Sequence, residues 1–182
     1  MIQDVNLENS VEFIENSNVA QLDEDNFSFQ INNNPKEWIF SDFDRIFDLV
    51  AKSVHSTQTK YDVFGHSAGG QILHRLAIFH PNSKANHIIA ANSGFYTLPD
   101  FELELPFGIK NTVLKEEDIK QSFSNNLTLL IGELDNENET GGTLLRSKTV
   151  DQQGLHRLAR GKFFFQKAQN LAKELELSLI HI

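Results

Sequence analysis

The chain has 182 residues and no cysteine, and its 16 Lys and Arg against 25 Asp and Glu leave a net charge of −9. That length buries a substantial core in one compact domain, and the lack of cysteine excludes disulfides, thiolate metal sites and a cysteine nucleophile. The acidic balance argues against binding nucleic acid or an anionic membrane surface, both of which need clustered positive charge, and no apolar run of about 18 residues is present to span a bilayer.

Met1 to Glu15 lack the basic-then-apolar order of a signal peptide, so a cytoplasmic location is expected if Met1 is the true start. The stretch to about Pro35 is rich in Asn, Asp and Glu, and residues 1–35 read as a poorly ordered or incomplete part of the fold. Phe27 to Ile31 is its one candidate edge strand. Phe43, Ile46, Phe47, Val50, Ala51 and Val54 recur at helical spacing, which predicts an amphipathic helix over 42–55 with Ser41 or Asp42 as its cap.

Tyr61 to Phe64 then predicts a short strand broken by Gly65, and 68–79 a helix stopped before Pro81. His87 to Ala91 predicts a second strand. Residues 94–126 read as loop, with a short helix near 115–122. Leu127 to Ile131 is a third strand, apolar except for Thr128, as expected where both sheet faces are covered. An acidic loop, a helix from Leu155 or Arg160 to Leu175, and a terminal strand over 177–182 complete the order. Alternation of this kind implies a single α/β domain over 1–182, with a parallel sheet and helices on both faces.

Gly65-His66-Ser67-Ala68-Gly69 lies between a predicted strand and a predicted helix, where a Gly-x-Ser-x-Gly acts as a nucleophile elbow. A strained turn lifts the serine hydroxyl clear of the strand end, and Gly65 and Gly69 are expected where neighbouring groups pass too close for a Cβ. The helix N-terminus directs unpaired N–H groups toward a developing oxyanion, with Ala68 as one donor.

A serine nucleophile needs a base, and the base an orienting acid, in the chain order Ser, Asp or Glu, His. Asp135, in the turn beyond the strand ending at Ile131, is the candidate acid, with Glu133 as fallback. The loop does not fit a calcium site, since Thr140 stands where Gly is required. The base is harder to find. His55, His74, His80 and His87 precede the acid and read as surface or helix-packing residues. His66 sits inside the elbow, pointing away from a base position. His156 lies on the wrong side of the last strand and His181 falls within it. The expectation is that the base lies outside this sequence, and that the fold is truncated at both ends.

The chain resembles bacterial α/β-hydrolases and, distantly, polyhydroxyalkanoate depolymerase-like serine esterases. The resemblance rests on STQTKYDVFGHSAGG (56–70), AANSGFYTLPD (90–100), GELD (132–135) and QGLHRLARG (153–161) running into FFFQ. It implies a carboxylic-ester hydrolase acting on a small ester-type substrate with no metal or other cofactor, its base supplied by a Gly-His pair after the last strand. It also implies that residues 93–98 line the substrate pocket, with Phe95 and Tyr96 as an apolar wall and His66 as a further substrate contact. For the two aromatics, packing of the loop onto the core is an equal alternative. A non-catalytic binding domain on the same fold is the rival reading; a nucleotide site is not, because no Gly-x-Gly-x-x-Gly or Walker loop is present.

Overall fold

In the computed structural model, which describes residues 1–6, 10–137 and 143–177, the N-terminal segment is more regular than its composition predicts. It carries β1 (Ile2–Asn6), β2 (Val11–Phe13), β3 (Val19–Leu22) and β4 (Ser28–Ile31). β1 pairs with β4 and β2 with β3, both antiparallel. β4 matches the edge strand expected over Phe27 to Ile31. For the other three the alternation was too short or weak a signal to read, yet in β3 it works: Ala20 and Leu22 are buried while Gln21 between them is exposed.

A 3₁₀ turn at Pro35–Glu37, capped by Asn34, leads into α1 (Phe40–Ser53). The helix starts two residues before the expected position and neither Ser41 nor Asp42 caps it, because the preceding turn already delivers Ile39 in helical conformation. Only part of the predicted stripe is used. Phe43 joins the core and Phe47 lies 5.2 Å from the Tyr61 ring, whereas Ile46 and Val54 are 59% and 64% exposed. Besides Phe40, which is buried and stacked on Phe79, a polar cluster anchors α1. The Asp44 carboxylate accepts from Tyr61 Oη (2.8 Å), Ser83 Oγ (3.2 Å) and the Lys84 N–H (3.1 Å), and His80 Nε2 lies 3.1 Å away. Burial opposes the charge on Asp44, but these bonds outweigh it and its pKa is lowered.

β5 (Tyr61–His66), α2 (Ala68–Phe79), β6 (Ala85–Ala91), α3 (Glu116–Ser122) and β7 (Leu127–Leu130) follow the predicted order. The three strands form a parallel sheet with β6 in the middle. Val63, Ile88 and Leu127 are in register on the face that packs into the core. The other face is open among the described residues: Phe64 and Leu130 are 60% and 54% exposed. The apolar run at 127–131 is therefore not sheltered on both sides as expected, and its strand ends at Leu130.

Two short elements that the sequence reading missed come next, β8 (Leu144–Arg146), parallel to β3, and α4 (Val150–Gln153). α5 (Arg157–Glu174) begins at His156, whose Nδ1 accepts the Ala159 N–H at 3.2 Å and so caps the helix. Phe164 on α5 stacks on Tyr96 with ring centroids 4.8 Å apart; truncating so buried a ring to Ala costs about 3–5 kcal/mol. Leu177 is not in a strand, and the rest of the expected terminal strand, with His181, lies outside the described residues, as does Thr140.

His74 on α2 is fully buried between this stack and the backbone. Its Nδ1 lies 3.0 Å from the Gly70 carbonyl and its Nε2 accepts the Thr97 N–H at 2.9 Å, so the ring is neutral with its proton on Nδ1. Burial, reinforced by nearby Arg75, holds its pKa well below the ordinary value. The unfolded chain then takes up a proton that the folded one refuses. This stabilisation is complete above the ordinary imidazole pKa of about 6.5 and is lost as pH falls below it, at up to about 1.4 kcal/mol per pH unit. His74→Gln should flatten the fall in urea-unfolding stability between about pH 6.5 and about pH 5; parallel slopes in both proteins would contradict the neutral, buried assignment.

Candidate functional site

Ser67 is the single residue between the end of β5 and the start of α2, and its backbone is forced into φ 55°, ψ −114°. A non-glycine residue in such a region costs about 1–3 kcal/mol, which the surroundings must impose. They do so through two bonds. The Ser67 N–H donates to the Ala91 carbonyl on β6 at 2.9 Å, and its own carbonyl accepts the Gln71 N–H at 3.1 Å. Serine at a helix start ordinarily spends its hydroxyl on capping, but Ser67 makes no side-chain cap bond. Its neighbour Ala68 opens α2, where first-turn N–H groups have no acceptor within the helix.

The glycines around this turn are not equivalent. A Cβ on Gly65 would lie 2.6 Å from the Gly69 backbone, and one on Gly70 would lie 2.6 Å from the Ala91 carbonyl oxygen. Gly69, expected to be equally crowded, has nothing within 4 Å of its Cβ position. The close approach falls on Gly70 instead, because that residue faces β6. Gly65→Ala should therefore lower stability by about 1–3 kcal/mol, while Gly69→Ala, in helical backbone, should leave it unchanged or raise it by up to about 1 kcal/mol. Thermal unfolding of the two variants checks this; equal losses would show that the turn is not packed as described.

Asp135 lies five residues beyond β7, in a turn closed by its N–H to the Gly132 carbonyl at 3.1 Å. Its own carbonyl accepts the Leu158 N–H (3.0 Å) and its carboxylate pairs with buried Arg157 (3.4 Å), which also donates to the Thr143 carbonyl (3.1 Å). The first turn of α5 thus holds Asp135 from two sides. Glu133, the fallback, is exposed in the same turn. β5 and β7 flank one common strand, so the chain ends carrying Ser67 and Asp135 are spaced about 10 Å apart at the carboxyl edge of the sheet, the edge where ligands bind in open α/β sheets.

No histidine among the described residues is hydrogen-bonded to Ser67. His74 is locked in the core, His80 is held by Asp44, His87 lies 2.9 Å from Asp62, and His156 Nδ1 serves as the α5 cap. His55 is exposed beyond α1, and His66 is exposed on the open sheet face.

Phe95 and Tyr96 do not stand along an open wall. Tyr96 is fully buried against Phe164 and His74, and Phe95 packs on Phe107 (5.5 Å) beneath the Arg75 guanidinium. Of the two alternatives, loop packing is the one the geometry favours. The loop is held by residues the sequence reading passed over. Gln153 accepts the Tyr96 N–H (3.0 Å) and donates to its carbonyl (2.7 Å), and buried Arg160 donates to the Gly94 (2.7 Å) and Gly154 (2.8 Å) carbonyls. Burial lowers the Arg160 pKa to about 10, so it remains charged at neutral pH. Polar residues inside an otherwise apolar helix face were the available signal, though it does not say which backbone they meet. An apolar cavity lined by Ala77, Phe123, Leu129, Phe164 and Ala168 lies elsewhere and includes neither Ser67 nor Asp135 in its lining.

Solved structures share this fold. A poly(aspartic acid) hydrolase from Sphingomonas sp. KT-1 superposes with a TM-score of 0.75 at 36% identity, over 78% of this chain and 53% of that one. The fold is that of the α/β-hydrolases. A second α/β-hydrolase, a poly(3-hydroxybutyrate) depolymerase from Bordetella parapertussis, superposes with a TM-score of 0.72 at 30% identity, over 78% and 48% of the two chains. The chain thus spans about half the length of each of these hydrolases. No family model and no curated protein matches it.

Proposed function

We propose that this chain carries the nucleophile and the acid of a serine hydrolase that transfers an acyl group from an ester to water. One observation carries the reading: Ser67 is held at positive φ between a parallel strand and a helix, with its hydroxyl unspent on the helix cap. A binding domain would gain nothing from imposing that strain, which weighs against the non-catalytic alternative.

In this mechanism the Ser67 hydroxyl attacks the acyl carbonyl while a histidine takes its proton. The oxyanion forms in front of the Ala68 N–H and the positive end of α2. The histidine then protonates the leaving alcohol, and a water activated by the same base releases the acid and restores Ser67. Asp135 orients the histidine and stabilises its charged form. Since no described histidine is hydrogen-bonded to Ser67 and most are committed elsewhere, the base comes from outside the described residues. His66, exposed beside the nucleophile, is positioned to touch substrate.

The two hydrolases of similar structure act, by their names, on a polyester and on poly(aspartic acid), so both ester and amide bonds are substrates to test. The exposed Glu133 and Glu137 beside Asp135 favour the neutral polyester, because they repel a polyanion.

In the full-length protein, Ser67→Ala should abolish hydrolysis of p-nitrophenyl butyrate. Asp135→Asn should lower kcat by about 10²–10⁴-fold with folding unchanged, as expected when the base loses its orienting carboxylate. A Ser67→Ala protein at parental rate would eliminate the nucleophile assignment, and an Asp135→Asn rate within about twofold would eliminate Asp135 as the acid.

A further inference from the structure

The residues so far assigned stand on separate loops, and something must hold those loops in register. β6 runs between the strand that delivers Ser67 and the strand that delivers Asp135. Ala91 is its last residue, and the Ala91 carbonyl accepts the Ser67 N–H at 2.9 Å. Asn92 comes next. Its N–H donates to the Leu130 carbonyl at the end of β7 (2.9 Å), and its Oδ1 accepts the Gly132 N–H (2.8 Å). Gly132 opens the acid turn, and its carbonyl in turn accepts the Asp135 N–H at 3.1 Å.

The amide of Asn92 sits close against that turn. A Cβ built on Gly132 would lie 3.6 Å from Asn92 Nδ2, 3.8 Å from Asn92 Oδ1 and 3.8 Å from Asp135 Cβ. Asn92 also has a left-handed backbone, with φ 42°. Few residues meet all three demands of the position. Glycine accepts the backbone but has no acceptor to offer. Alanine lacks the acceptor and is penalised by the positive φ. Aspartate could accept the bond, but would set a second negative charge beside Asp135, which raises the cost of ionising either. Asparagine tolerates the left-handed region and supplies a neutral acceptor.

We propose that Asn92 is a positioning residue that fixes the acid turn of Asp135 to the strand holding Ser67. This inference rests on the serine hydrolase reading above. Its consequence is kinetic: a misplacement of about 1 Å between catalytic groups can cost about 10²-fold in rate, whereas one solvent-accessible hydrogen bond is worth only about 0.5–1.5 kcal/mol of stability.

The test is a double-mutant cycle in the full-length protein, read on p-nitrophenyl butyrate hydrolysis. Asn92→Gly keeps the backbone conformation and removes the acceptor; a glycine variant that does not fold by circular dichroism would make Asn92 a residue of the fold itself and would overturn the inference. Asn92→Gly should lower kcat at least about 10-fold with KM within about twofold. Introduced into Asp135→Asn, it should lower kcat further by less than about twofold, because the group it positions is gone. An equal factor in both backgrounds, a loss confined to KM, or a kcat within about twofold of the parent would overturn the inference alone. A parent without esterase activity would overturn the hydrolase reading and this inference with it; an Asp135→Asn variant at parental rate would remove Asp135 as the acid, and this inference with it, while leaving the Ser67 assignment standing.

Discussion

The organisation of this molecule depends on one backbone constraint, the left-handed conformation of Ser67 where β5 turns into α2. A strand and a helix can be joined by one residue only if that residue reverses the chain abruptly, and the reversal brings the first turn of the helix against the next strand. Gly65 and Gly70 have no room for a side chain as a result. The strain is met by the Ser67 N–H bond to β6 and by the burial of α2, whose Leu73, Leu76, Ala77 and Phe79 lie in the core. Burying a single leucine contributes about 1.5–3 kcal/mol, so a few such residues offset the strain.

A second layer of constraint holds the loops in place with charged and polar groups rather than apolar ones. Gln153 bonds both sides of the Tyr96 peptide, His74 accepts the Thr97 N–H, and Arg160 spans the Gly94 and Gly154 carbonyls. Loops that leave the carboxyl ends of strands carry backbone groups no sheet can satisfy, and once buried these need side-chain partners. Arg157 does the same for the Thr143 carbonyl while pairing with Asp135. α5 therefore belongs to the candidate site as well as to the core: its first turn holds Asp135 and its middle packs on Tyr96.

Much of this was legible in the amino-acid sequence, and the reasons for the rest are physical. α2 was readable to the residue because Gly65, Ser67 and Pro81 bracket an unbroken apolar pattern. The parallel sheet followed from alternation of strands and helices. Strands of three or four residues such as β2, β3 and β8 were not readable, since pairing with distant partners, Leu144 against Val19 for one, decides them. Helix starts were misplaced where the cap was a histidine or a preceding 3₁₀ turn. The aromatics at 95 and 96 carried no sign of which way they face. Nor did Gln153, Arg160 and Asn92 announce their roles, because a side chain that bonds backbone across the fold leaves no periodic trace.

The central claim is that Ser67 is a nucleophile, and covalent trapping tests it most directly. The full-length protein would be treated with a fluorophosphonate probe, digested, and its peptides mapped by mass spectrometry. The account predicts a single phosphonyl adduct on the peptide that contains Ser67, lost on prior heat denaturation because the hydroxyl reacts only when the turn is formed. An intact Ser67 peptide, or an adduct on another serine that survives denaturation, would contradict it.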